Sequence, residues 1–344
     1  MSSSTSKRNH LNKTAITVAH RTETGVCDWL ARRAASRGWT PAVIPYSGYA
    51  STGHARVLGR VVLAPSSVEP SARRDVSGWR RLLTLESPGV EVAITIGCST
   101  ITVTSNKAGI IDARIPLEEP LEPGMTSARL KVDGREELPA NVHVMSDDPV
   151  LGVVCDIDDT AWVTGIAHPL RAARRTLGGT SSTRESVPGM ARLLRTAVEG
   201  EGHHAVMYLS NGPWNFVGPV RRFLERGDFP AGAVLMTDWG ITPTRWFRDG
   251  FEHKSSSLAR FMADFPHVTW VLVGDTGEHD PQLYKDVAKA HPDRVAAIAL
   301  RQVQPQKQAA REAGTRYVNG VPILRGADGD ELLPLLKEAL RKRS

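Results

Sequence analysis

Asp156-Ile157-Asp158-Asp159-Thr160 sets two carboxylates one residue apart, directly after the apolar run Val150 to Cys155. In extended or freshly turning backbone, side chains at i and i+2 share a face, so Asp156 and Asp158 can point at one ligand. Carboxylates this close raise each other's pKa unless a cation or a functional proton lies among them. The pattern implies a divalent metal or acid–base chemistry; its plain alternative is an Asp-rich turn that caps a helix.

Three further polar stretches sit where a ligand could be reached. Ser210-Asn211 follows the apolar Val206 to Leu209, Gly274 to Asp280 follows Val271 to Val273, and His253-Lys254 stands at the expected start of a helix. Taken singly, Ser210 and Asn211 read as a helix cap and Lys254 as a surface lysine. Gly274 and Gly277 read either as turn residues or as points where backbone approaches phosphate and metal. Thr160 either caps its turn or contacts ligand, and Asp159 reads as structural. His253 and His279 either support the site or lie on the surface, and two histidines without further ligands make no zinc site.

The elements that must position these residues change character along the chain. Thr24 to Arg37 carries Val26, Leu30 and Ala34 at helical spacing. Short β-branched runs follow at Arg56 to Leu63, Val90 to Ile96, Ile101 to Thr104, Ile110 to Ile115, Ala128 to Val132 and Val142 to Met145. Gly, Pro, Asn and Asp separate them, which predicts a small antiparallel sandwich or barrel with a structural or docking role. From Val150 strands alternate with helices, the pattern of a parallel sheet covered on both faces. Strands are expected at Gly152 to Cys155, Ala205 to Leu209, Ala233 to Met236, Thr269 to Val273 and Val295 to Ala299. Helices are expected at Gly189 to Val198, Pro213 to Arg226, Ser255 to Phe265, Asp280 to Ala290 and Asp328 to Arg341. Ligands of such a sheet bind beyond the carboxyl ends of the strands, where the polar stretches fall. The expected division is a polar disordered tail over 1–20, a helix with a β-rich accessory domain over 21–148, and an α/β domain over 149–344.

A chain of 344 residues can hold two cores. It contains no run of about 18 apolar residues that could span a membrane, and its Ser-rich start does not read as a secretory signal. Cys27, Cys98 and Cys155 are scattered and odd in number, which disfavours a disulfide framework and suits a reducing, cytoplasmic setting. Lys and Arg outnumber Asp and Glu by 43 to 37, a mild bias toward anionic partners. The basic clusters, such as Arg171-Arg174-Arg175 and Arg341-Lys342-Arg343, are dispersed without aromatic interleaving, so nucleic acid is disfavoured.

The order of acid pair, hydroxyl, lysine and second acid cluster resembles the haloacid dehalogenase superfamily. The stretches DIDDTAWVTG, YLSNGPWNF, HK and LVGDTGEHDPQLY resemble more closely the catalytic domain of actin-patch-associated phosphatidate phosphatases and their bacterial relatives, over about Val150 to Gln302. IPYSGYASTGHARVLGRVV is similar to the opening of the β-rich domain preceding that catalytic domain in bacterial members. The resemblance implies a haloacid-dehalogenase-like Rossmannoid sheet with a small cap between Ala161 and Val187. It also implies a phosphomonoester hydrolase, with phosphatidate as substrate and diacylglycerol as product.

Phosphoryl transfer needs an in-line nucleophile and positive charge around the equatorial oxygens. On the matching positions, Asp156 is the expected nucleophile and forms an aspartyl-phosphate. Asp158 is the expected acid and then base, a carboxylate that transport ATPases of the superfamily generally lack. Lys254 balances charge, while Ser210 and the backbone near Asn211 bind phosphoryl oxygens, with Thr160 a further contact. Asp156, the Asp158 carbonyl, Asp275 and Asp280 are the expected ligands of Mg²⁺. Gly212 stands where relatives commonly carry Ser, and His279 where Lys or Arg is frequent, which weakens any inference about the preferred ester.

A short cap leaves the cleft open, suiting a substrate whose headgroup is reached at an interface. Trp162, Trp214, Phe216, Trp239, Trp246 and Phe247 fall near the expected mouth and suggest a peripheral membrane contact, with core packing as the alternative. Two other readings stand beside the lipid phosphatase: a phosphatase of soluble sugar, nucleotide or nucleic-acid-end phosphates, and a non-enzymatic module that binds Mg²⁺ or a phosphoryl group.

Overall fold

Runs of Val, Ile and Thr broken every few residues by turn formers bury themselves best as paired strands. The computed structural model describes residues 29, 32–67, 85–148, 150–163, 185–199, 205–237, 243–277, 279–303 and 316–343, and the elements and contacts below belong to them. Eight strands form the first sheet: β1 Trp39–Pro45, β2 Gly48–Ala50, β3 His54–Pro65, β4 Glu91–Ile96, β5 Ser99–Thr104, β6 Ile110–Pro116, β7 Gly124–Val132 and β8 Leu138–Val144. Their order is β1-β3-β2-β8-β7-β4-β5, with β6 paired to β3. Pairing is antiparallel except for β2 with β8, which run parallel. The expected all-antiparallel arrangement is corrected there.

All eight strands contribute to one apolar core, among them Val43, Ala50, Val57, Ile94, Ile111, Leu130 and Val142, with Ile101 and Val103 of β5 packed against it. Two strands have no counterpart in the sequence reading. β1 contains Pro41 and Pro45 and lies at the sheet edge, where a missing N–H costs no ladder bond. β2 is three residues long, too short for any period to register. Of the expected Thr24 to Arg37 helix, residues 29 and 32–35 are helical, and the rest lies outside the described residues, as does the tail over 1–20.

The second sheet is built from β9 Val150–Asp156, β10 Val206–Pro213, β11 Ala233–Thr237, β12 Val268–Asp275, β13 Val295–Arg301, β14 Arg316–Val318 and β15 Val321–Gly326. Its order is β11-β10-β9-β12-β13-β15-β14, parallel throughout except for β14. The covering helices are α1 Met190–Ala197, α2 Val217–Arg226, α3 Pro243–Asp264, α4 Asp280–Ala290 and α5 Gly329–Arg343. All five strands and five helices expected after Val150 are present. A helix that was expected to begin at Ser255 instead begins at Pro243, so Lys254 sits mid-helix rather than at a helix start.

From β9 the chain steps outward through β10 to β11, then returns through α3 to β12 on the other side of β9. The order therefore reverses at β9, and the crevice at its carboxyl end is the switch point where such sheets bind ligands. Gly152 lets β9 sit beneath its neighbour: a Cβ there would lie 2.6 Å from a Val268 methyl carbon and 2.8 Å from the Trp270 ring. The two sheets share a packed boundary, since Tyr49, Leu58 and Ile110 of the first, with Tyr46 of the β1–β2 link, join the core of the second. Tyr46 stacks on Trp214 with centroids 4.7 Å apart and planes within 5°.

Candidate active site

β9 is buried from Gly152 through Asp156, so its apolar residues pin the backbone and deliver Asp156 at a fixed point. The chain then turns: the amides of Ala161 and Trp162 donate to the Ile157 carbonyl, and Asp159 adopts φ 54°. A left-handed Asp fits a tight turn, because its short polar side chain tolerates that region. The Arg301 guanidinium at the end of β13 donates to the Asp159 carbonyl, tying this turn to the neighbouring strand end.

Five residues from three separate stretches of the sequence meet at that rim. The Lys254 Nζ lies 2.7 Å from Asp156 Oδ1 and 2.7 Å from Asp280 Oδ1, and all three side chains are at most 3% exposed. Thr160 Oγ1 donates to Asp156 Oδ2 at 2.9 Å. Asp275, wholly buried, receives the Gly277 amide on Oδ1, and its own amide lies 3.4 Å from Asp280 Oδ2. Gly274 permits this crowding, since a Cβ there would lie 2.5 Å from Asp280 Oδ2. Burial drives the Cys155 thiol and the Tyr284 phenol well above their usual pKa, with Asp156 and Asp280 adding to both shifts.

Oxygens of Asp156, Asp275 and Asp280 all lie within 4.8 Å of one another. Among the described residues, three buried carboxylates gather beside the Lys254 ammonium, and a hard cation would ease the crowding of their oxygens. An all-oxygen donor set of this kind fits Mg²⁺ rather than a thiophilic metal. The Asp158 carboxylate is outside that group. It accepts from Trp162 Nε1 at 3.0 Å and from Ser210 Oγ at 2.7 Å, and it is half-buried at the mouth.

Ser210, Asn211 and Gly212 fall at a shift of register in the ladder between β10 and β11, at the carboxyl end of β10. Ser210 Oγ accepts from the Gly212 amide at 3.0 Å while donating to Asp158, so the hydroxyl expected to meet phosphate is engaged with the carboxylate expected to serve as acid and base. Thr237 Oγ1 donates to the Asn211 carbonyl at 2.9 Å and steadies that loop. Sequence reasoning missed Thr237 and Arg301; the available signal was a lone polar residue ending an apolar strand.

Trp162, Trp214 and Phe216 are core residues, so of the two readings open to them the core one holds and the membrane contact does not. Trp162 packs on Phe223 at 5.1 Å, and Trp214 lies under Tyr46. Trp239 and the Trp246 and Phe247 side chains lie outside the described residues, as does most of the expected cap, 164–184. At the rim, Phe251 is 40% exposed and meets the exposed His279 edge-on, with ring centroids 6.0 Å apart. No helix among the described residues is long and apolar enough to cross a membrane.

His253, next to Lys254, is half-buried, and its pKa falls to about 4, chiefly through loss of solvation. His143 of β8 is likewise depressed to about 4 by burial, with Arg221 adding to the effect. The unfolded chain protonates these rings below about pH 6.5, whereas the fold resists until about pH 4. Stability therefore falls with pH across that window, by on the order of 3 kcal/mol per histidine. Melting curves from pH 7 to pH 4 are expected to drop steadily, and His143→Gln is expected to flatten the decline; an equal slope in that variant would remove His143 as a cause.

Residues 151–302 match the family model described as "Phosphatidate phosphatase APP1, catalytic domain". Among curated relatives, Phosphatidate phosphatase APP1 of Saccharomyces cerevisiae is 26% identical over 155 residues, covering 44% of this chain and 26% of its own length. An uncharacterised protein of Schizosaccharomyces pombe is 25% identical over 185 residues, covering 52% of this chain and 30% of its own. The match thus spans less than a third of either relative. A carbohydrate acetylesterase from Xanthomonas citri, covering 85% of this chain and 72% of its own, is 12% identical with a TM-score of 0.26, too slight a likeness to bear on the fold.

Proposed function

We propose that the chain is a Mg²⁺-dependent phosphatase with a haloacid-dehalogenase-like site, hydrolysing a phosphomonoester of the phosphatidate class through an aspartyl-phosphate. The observation that carries this reading is the buried Lys254 ammonium, held at 2.7 Å between Asp156 and Asp280 beside Asp275. The similarity of residues 151–302 to a phosphatidate phosphatase catalytic domain supports the substrate class.

An Asp156 carboxylate oxygen attacks phosphorus, and the bond from phosphorus to the ester oxygen breaks. Asp158 hands its proton to the departing alkoxide; Trp162 and Ser210 hold its carboxyl group toward the mouth for that transfer. The deprotonated Asp158 next takes a proton from water, whose oxygen bonds to phosphorus as the bond to Asp156 breaks. Phosphate leaves, Asp156 is restored, and Asp158 is again protonated. Lys254 holds Asp156 charged and in place and offsets charge arriving with the phosphoryl group. Asp156, Asp275 and Asp280, with the Asp158 carbonyl, would hold Mg²⁺, which when bound supplies positive charge to the phosphoryl oxygens and orients them.

Phosphate release from phosphatidate vesicles, glycerol phosphate, sugar phosphates and nucleotides tests the reading. Release from the vesicles should exceed that from the soluble esters, and chelation with EDTA should reduce it to background until Mg²⁺ is restored. Faster release from a soluble ester would move the substrate assignment, and full activity in EDTA would remove the metal.

A further inference from the structure

α3 presents two neighbouring stripes. Lys254, Leu258 and Phe261, with Phe265 just past the helix end, are spaced by four, three and four residues and are buried. His253, Ser257, Arg260 and Asp264 follow the same spacing one residue earlier, and this second stripe is keyed to the first sheet by charge. Asp264, buried, accepts from the Tyr49 hydroxyl at 3.0 Å, lies 3.1 Å from His54 Nε2 and accepts from Arg114 at 3.1 Å. Arg260 lies 3.8 Å from Asp112, which Arg56 grips with two bonds of 2.6 Å. Tyr49 belongs to both sides: it is fully buried, its ring meets Phe261 at 5.8 Å and Phe265 at 5.4 Å, and Arg56 lies 5.8 Å from its centroid.

We infer that the β-rich module sets the register of α3, with Tyr49 and Asp264 as positioning residues that place the Lys254 ammonium between Asp156 and Asp280. The inference rests on Lys254 being the cation of the proposed phosphoryl site. A helix is stiff, and ten residues separate Asp264 from Lys254, about 15 Å of rise. A shift at one end is therefore delivered at the other. A bridge of 2.7 Å to two carboxylates on different elements tolerates little of it, and an error of about 1 Å near reacting atoms costs up to 10²-fold in rate. Burial pushes the Tyr49 phenol up to about 12, so its hydroxyl stays protonated as a donor to Asp264. The module thus acts in cis on the reaction rather than only as a docking piece.

The test compares the full-length protein with Tyr49→Phe and Asp264→Asn, using the ¹H–¹⁵N signal of the Lys254 ammonium, identified by its loss in Lys254→Arg. Arg129→Ala, at an exposed ion pair with Glu137 in the same module, serves as control. Both interface variants are expected to shift or broaden that signal and to lower kcat about 10-fold, with KM for the phosphoester within about twofold. The control should move neither. An unmoved signal, kcat within twofold of wild type, or a kcat loss that merely follows the folded fraction would overturn the inference. If Asp156→Asn keeps full turnover while the lysine signal still responds, the nucleophile assignment fails and the placement of Lys254 by Tyr49 and Asp264 stands.

Discussion

Asp156→Asn is expected to lower phosphate release at least about 10³-fold while leaving the chain folded, because an amide of the same shape cannot form the aspartyl-phosphate. The local bonding can survive the exchange. The amide oxygen can face Lys254, and its NH₂ can donate to the Thr160 hydroxyl, which rotates to accept. Lys254 keeps its second carboxylate, Asp280, at 2.7 Å. The substitution also removes one of three negative charges crowded in the core, so the metal-free variant should melt at or above the wild type. Mg²⁺ should raise its melting temperature less than it raises that of the wild type, since one oxygen ligand is lost. Thermal melting with and without Mg²⁺, beside phosphate release, reads both effects. Undiminished turnover would end the nucleophile assignment, whatever the melting curves showed.

The architecture around this site was legible wherever period and punctuation agreed. β9 to β13 announced themselves as apolar runs ending in polar residues, because a strand buried on both faces has no reason to alternate. The β14–β15 pair went unread although Asn319-Gly320 marks a tight hairpin, with φ 46° and 81° at the turn. Its first strand, Arg316–Val318, is too short and exposed to carry a pattern. Lys254 was found by its place among motifs, yet misplaced at a helix start, because Gly250 and the polar run around Ser255 hide the continuity of α3. The aromatics stayed ambiguous for a different reason. A Trp near a motif signals a rim and a core equally well, and only the partner decides: Tyr46, from the link between β1 and β2, claims Trp214. Likewise the Ser210 contact with Asp158 joins β10 to the turn after β9, and neither local sequence carries a trace of it.

Lys254→Met removes the ammonium and keeps most of the side-chain volume, so its effect isolates charge. Without metal, Asp156, Asp275 and Asp280 would share a buried site with no cation from α3, and breaking a buried pair on one side costs about 3–5 kcal/mol. The apolar stem still packs, which limits the loss to electrostatics. Mg²⁺ answers the same deficit, so it should recover more melting temperature in the variant than in the wild type. Turnover should nonetheless stay at least about 10³-fold down, because no mobile ion reproduces a fixed donor beside both the nucleophile and the incoming phosphoryl charge. Partial recovery of stability without recovery of rate separates the two roles of one side chain. A Lys254→Met protein that melts like the wild type without Mg²⁺ would show that the three carboxylates do not need the lysine, and turnover at the wild-type rate would remove Lys254 from the reaction.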